Sequence, residues 1–140
     1  EGRIVIVNLA KGSLGEDAAR IMGSLFVSSL CAAAMERGTS NTDDRGDFTL
    51  ILDEAQSFLS DALVTVLSES RKFGLGMVLC HQYLAQLPPS VRTAVLGNVG
   101  TTFTFRVSGD DADMLAKNYG TIFEPSQFIE LHHPPPSKSP

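Results

Sequence analysis

The stretch Phe48 to Gln56, FTLILDEAQ, constrains this chain more than any other. Its apolar residues follow one another almost without polar alternation and include β-branched and aromatic members. That is the pattern of a strand buried on both faces, as in a parallel sheet under helices. The run stops on two adjacent carboxylates, Asp53 and Glu54. Ligands of open α/β sheets bind at the C-terminal edge of the strands. Two carboxylates at that edge cost free energy unless a cation or a reacting water uses them.

Two readings of the pair stand side by side. In one, the strand turns into a helix, Asp53 is its N-cap and Glu54 favours the first turn. In the other, a hydrophobic strand ending in Asp-Glu is the Walker B pattern of nucleoside-triphosphate hydrolases. There the Asp helps to hold magnesium and the Glu polarises the attacking water.

A chain of 140 residues fits one domain and buries roughly 70% of its unfolded surface. The formal net charge of −5 argues against a simple nucleic-acid coat, because non-specific binding to phosphates rests on clustered Lys and Arg. Cys31 and Cys80 both lie in apolar runs and are expected as buried free thiols of a reducing, cytoplasmic compartment. No signal peptide is legible. The uncharged, strongly apolar run Gly23 to Met35 contains three serines and falls short of the about 20 residues a membrane span needs. The chain opens on Glu1 directly beside an apolar run, as an excised piece of a longer protein would.

Arg3 to Leu9 (RIVIVNL) is expected as a further strand, followed by a turn over Ala10 to Gly15 and a helix from Glu16 to Arg37. Strand, glycine turn and helix is also the order of a phosphate loop, but Lys11 precedes the glycine and no G-x-x-x-x-G-K-[ST] spacing exists. Glu16 and Asp17 would repel an anion at that helix terminus. The helix carries Ala18, Ile21, Met22, Leu25, Phe26 and Leu30 around most of its circumference, so it is expected to pack between the sheet and another layer. Gly38 to Asp47 reads as an exposed loop.

A helix over Ser57 to Phe73 follows the acids, with the stripe Leu59, Ala62, Leu63, Val66 and Leu67 and an end at Gly74. Arg71 falls beside that stripe, free either to meet the helix dipole or to reach outward. Met77 to Cys80 is a third buried strand, ending on His81 and Gln82. Parallel strands bring their C-terminal ends together, so Gln82 would arrive near Asp53 and Glu54. His81 has no second Cys/His pair at metal spacing. After Leu87-Pro88-Pro89 come a short helix over Ser90 to Leu96 and a strand, Thr101 to Val107, with Phe103, Phe105 and Val107 on one face. Arg106 lies on its polar face, as a solvated strand residue, an ion-pair partner or a phosphate contact. Ser108 or Asp110 caps a helix to about Tyr119, Pro125 to Leu131 makes one more turn, and His132 to Pro140 is a Pro-rich tail.

The blocks ILDEAQSFL, SESRKFGLGMVLCHQYLAQLP and VLGNVGTTFTFRVSGDDADMLAKNYG, with NLAKGSLGED before them, resemble the C-terminal half of the motor domain in conjugative coupling-protein and HerA/FtsK-type P-loop ATPases. The similarity covers most of the chain from Arg3 to Gly120. It implies a partial RecA-like fold of the α/β class over residues 1 to 131, a mostly parallel sheet flanked by helices that lacks the phosphate-loop strand. It implies a homo-hexameric, ATP-driven motor that pumps DNA, often for conjugation or type IV secretion, with secretion-system components as partners. Position by position, it implies Asp53 for Mg2+ bound with ATP, Glu54 for activating water, Gln82 as sensor, and Arg71 as an arginine finger toward a neighbouring subunit. Arg106 would be the fallback finger.

Phosphoryl transfer is catalysed by positioning and by neutralising charge on the γ-phosphate. Because the phosphate loop is missing, the chain alone is expected to bind ATP weakly or not at all and not to turn it over. An interior strand is also missing between Met77–Cys80 and Thr101–Val107, so these two either pair directly or receive an upstream strand. Two alternatives remain open. ABC-type ATPases share a strand ending Asp-Glu and a histidine such as His81, but the L-S-G-G-Q signature is absent and Ala55 stands where proline is usual. A non-catalytic RecA-like module for assembly or partner docking needs no nucleotide.

Overall fold

A computed structural model describes residues 2–37 and 48–129. The Gly38–Asp47 loop and the His132–Pro140 tail lie outside the described residues. The chain divides into two compact units, Glu1–His81 and Gln82–Pro140.

The first unit is α/β. After the single turn α1 (Lys11–Leu14), Gly15 at φ 80° passes the chain into α2 (Glu16–Arg37), whose acids Glu16 and Asp17 lie in the first turn and Arg37 in the last. This is the polarity the helix dipole favours. Then come β1 (Phe48–Leu52), α3 (Ala62–Glu69) and β2 (Leu75–Leu79). β1 and β2 pair in parallel from Phe48↔Leu75 to Leu52↔Leu79. The crossover between them contains α3, as a parallel connection requires.

The expected helix over Ser57–Phe73 is interrupted. A 3-10 turn at Ala55–Ser57 precedes α3, and another at Ser70–Phe73 follows it. α3 restarts where Ser60 and Asp61 supply the first accepting carbonyls, to Leu63 and Val64; both residue types favour helix starts over interiors. Leu59, Leu63, Val66 and Leu67 are buried as their spacing predicts, and Gly74 at φ 64° closes the segment.

Three sheet expectations are corrected. β1 is packed on one face only: Leu50 and Leu52 are buried while Ile51 is 66% exposed. Arg3–Leu9 forms no strand, with Ile4 92% and Ile6 86% exposed. Thr101–Val107 forms none either, and its Phe103 and Phe105 are exposed. Apolar β-branched and aromatic runs favour strands only where a ladder satisfies their backbone groups. Among the described residues, β1 and β2 make the only ladder.

α2 also packs differently from expectation. Its buried residues are Ala19, Gly23, Val27, Cys31 and Ala34, a stripe of small side chains, whereas Ile21, Met22, Leu25 and Phe26 are exposed. A Cβ at Gly23 would overlap the Phe58 ring and Leu9 Cδ1. Gly23→Ala should therefore destabilise the chain by about 1–3 kcal/mol through overpacking, against a helix-propensity gain of at most about 1 kcal/mol. Urea unfolding checks the sign. α2 is also the one helix among the described residues long and apolar enough to cross a membrane. The helix extends the uncharged run Gly23–Met35 at both ends, which the run length by itself did not reveal.

Burial pushes the Cys31 thiol up, whereas Cys80, expected to be buried, is exposed because β2 ends at Leu79. Above the ordinary thiol range near 8.5, the folded chain holds a proton on Cys31 that the unfolded chain has lost. Stability therefore falls as pH rises through that window. Thiol alkylation in mildly alkaline buffer should label Cys80 and spare Cys31 until denaturant is added, with mass spectrometry as the readout.

The second unit is helical among its described residues. α4 (Pro89–Asn98) starts with Pro89 in its first turn, where a missing N–H is harmless, and buries Val91, Ala94 and Val95. α5 (Gly109–Tyr119) follows Ser108, which holds the cap position without a side-chain capping bond. α6 (Pro125–Ile129) buries Phe128, whose carbonyl accepts the Val107 N–H at 3.3 Å.

Candidate functional site

Parallel pairing brings the C-terminal ends of β1 and β2 together. The Cys80 N–H donates to the Leu52 carbonyl at 2.9 Å, and the Ala55 N–H donates to the Cys80 carbonyl at 2.8 Å. Asp53 and Glu54 are thus clamped beside the end of β2. Asp53 is exposed and Glu54 half-buried.

Neither acid behaves as a simple helix cap. Asp53 Oδ1 accepts the N–H of Glu54 at 3.0 Å. Glu54 precedes the 3-10 turn and makes no side-chain capping bond. Its backbone lies in the left-handed region, φ 53° and ψ 45°, the one positive φ outside glycine among the described residues. That conformation costs a non-glycine residue about 1–2 kcal/mol, and such strain concentrates at functional sites. Gln56 Nε2 donates to Glu54 Oε2, so the carboxylate is tethered as well as the backbone. Two further polar atoms near this edge, Gln56 Oε1 and His81 Nδ1, are buried without a hydrogen-bond partner.

The other expected residues are distributed as follows. Arg71 lies in the Ser70–Phe73 turn, ahead of the N-terminal end of β2. At about 3.3 Å per strand residue, its backbone is roughly 16 Å of strand from the carboxylate edge, so the fold does not bring it to Asp53 and Glu54. The Arg71 side chain lies outside the described residues. Gln82 opens the second unit, and Arg106 is an exposed residue of that unit, in the segment expected as a strand.

Sequence reasoning gave no role to Gln56, two residues beyond Glu54, because its grip on the carboxylate depends on the 3-10 turn. Asp111, in the first turn of α5, is buried, and its Oδ2 accepts the Leu84 N–H at 3.2 Å.

Among the described residues no group of three or more His, Cys, Asp or Glu side chains is arranged to hold a metal ion. Two adjacent carboxylates alone suit Mg2+ only in company, because Mg2+ keeps several waters and is commonly held by one or two carboxylates plus substrate phosphates. Comparison with family models, with curated proteins and with solved structures gives no match.

Proposed function

We propose that this chain is the C-terminal half of a RecA-like motor domain from an ATP-driven DNA translocase of the conjugative coupling type, cytoplasmic and homo-hexameric when complete. The observation that carries the reading is Glu54, held in a left-handed backbone and tethered by Gln56 at the carboxyl edge of a parallel sheet, next to Asp53.

In this reading Asp53, exposed at the strand end, is the carboxylate that holds Mg2+ together with the phosphates of ATP. The metal supplies charge neutralisation on the phosphoryl oxygens. Glu54 positions the attacking water and accepts its proton, and its tether to Gln56 limits the carboxylate to few orientations. Arg71, remote from its own carboxylates, serves a neighbouring subunit's nucleotide, which couples hydrolysis to subunit arrangement. Gln82 senses the γ-phosphate, and Arg106 is the alternative phosphate contact. DNA and secretion-system components are the partners of the assembled motor.

A second reading, a non-catalytic module for assembly, is favoured by the exposed apolar residues Ile4, Val5, Phe103 and Phe105. Calorimetric titration separates the two. Mg2+ alone and Mg-ATP should both give no measurable heat with this chain, while a longer protein carrying a phosphate loop upstream should bind Mg-ATP. If the longer protein also fails to bind, the module reading replaces the motor.

A further inference from the structure

We infer that the second unit carries a binding site for an uncharged planar heteroaromatic ring of the nucleobase class, in the cavity beside α5 and α6. The cavity holds about 400 Å³ and is lined by Thr102, Thr104, Tyr119, Phe123, Gln127 and Phe128. That volume falls within the range of small-ligand sites, which combine aromatic walls with a few placed polar groups. Half of the lining side chains are aromatic. The Phe123 and Phe128 rings lie 5.6 Å apart at 57°, in tilted contact with one another. A flat guest would therefore stack on the outer surface of this pair rather than between its rings. Phe128 is 8% exposed and forms a fixed wall, whereas Phe123 is 45% exposed and sits at the rim.

The polar groups fit the edge of a heterocycle. No charged side chain lines the cavity, so an ionic guest would lose hydration without compensation. Gln127 Oε1 already accepts the Glu124 N–H at 2.7 Å, which fixes its carboxamide and leaves Nε2 as the donor for a guest. The Thr102 and Thr104 hydroxyls each supply a donor and an acceptor. Aromatic faces with hydrogen-bonding groups at the margin are the means by which proteins take unstacked bases. The inference concerns only the second unit and is independent of the roles given to Asp53 and Glu54.

The test is a titration of the isotope-labelled 140-residue chain with adenosine, followed by methyl and aromatic NMR shifts. Adenosine carries no phosphate, so the result does not depend on the carboxylate edge. Shifts confined to Thr102, Thr104, Tyr119, Phe123 and Phe128 are expected, and ribose alone should cause none. Phe123→Leu should weaken binding about tenfold, the scale of one lost base–aromatic stack. Thr104→Val, nearly isosteric, should weaken it less while preserving the spectrum. A single-stranded oligodeoxyadenylate distinguishes the source of the base: tighter binding than adenosine assigns the site to a nucleic-acid chain, equal or weaker binding to a free nucleoside or nucleotide. No shift with adenosine, equal shifts with cyclohexanol, or shifts that follow self-association of the chain would each overturn the inference.

Discussion

Glu54→Gln is expected to lower ATP turnover by about 10²–10⁴-fold, the contribution of a well-placed general base, while leaving Mg-ATP binding intact. The measurement belongs in a longer protein that carries a phosphate loop upstream, with phosphate release and calorimetry followed in parallel. Glutamine keeps the shape of the side chain and its capacity to accept the Gln56 bond, so a loss of turnover reports lost proton acceptance rather than lost packing. The isolated chain offers a complementary readout. Glycine adopts φ near 53° without steric strain, so Glu54→Gly should relieve about 1–2 kcal/mol of backbone strain. Against this stand the lost Gln56 bond, about 0.5–1.5 kcal/mol, and the greater chain entropy of glycine, about 0.5–1 kcal/mol. A residue that carries backbone strain where it stands and raises turnover is the signature of a site kept for function. If Glu54→Gln leaves turnover within twofold, Glu54 is a turn residue and the assignment of the water-activating role fails.

The parts of the fold that were legible in the sequence are those fixed by local chemistry. α2 follows from its length, its acidic start at Glu16 and Asp17 and the glycine turn before it. α4 follows from Pro88-Pro89, and α5 from Asp110 and Asp111 at its start. That the Asp53–Glu54 strand and the strand before His81 run parallel with their C-terminal ends together was legible, because both are short apolar runs separated by a helical stretch; that they are direct neighbours was not.

What escaped depends on partners. RIVIVNL and TTFTFRV have every residue preference of strands, yet a strand exists only when another backbone completes its ladder, and composition does not say which backbone that is. Periodicity likewise placed the large residues of α2 toward a core, whereas the helix buries its small ones, because close approach to Phe58 demands Gly23 rather than Leu25 or Phe26. At the candidate site, the type and order of Asp53 and Glu54 were legible. The left-handed turn and the Gln56 tether were not, because both arise from how Ala55 is drawn onto the end of β2.

Asp111 gives the largest stability effect expected in the second unit. It is 3% exposed, the one buried charged residue among those described, and its carboxylate receives the N–H of Leu84, itself buried at 5%. Leu84 begins a 3-10 turn and its N–H has no helical predecessor to bond, so the Asp111 carboxylate supplies the acceptor that local structure does not. Hydrogen bonds to charged groups contribute roughly 1.5–3 kcal/mol, and the partner left buried without one suffers a desolvation penalty of similar size. Asp111→Ala should accordingly cost about 2–3 kcal/mol, whereas Asp111→Asn, which keeps a carbonyl oxygen for Leu84, should retain most of the stability. Urea denaturation gives the free energies, and amide exchange at Leu84 gives the local test. Protection of that amide should vanish in the Ala variant and persist in the Asn variant. Equal stability of all three proteins would mean that water replaces the carboxylate at no cost and that the buried acid is not what fastens this turn to α5.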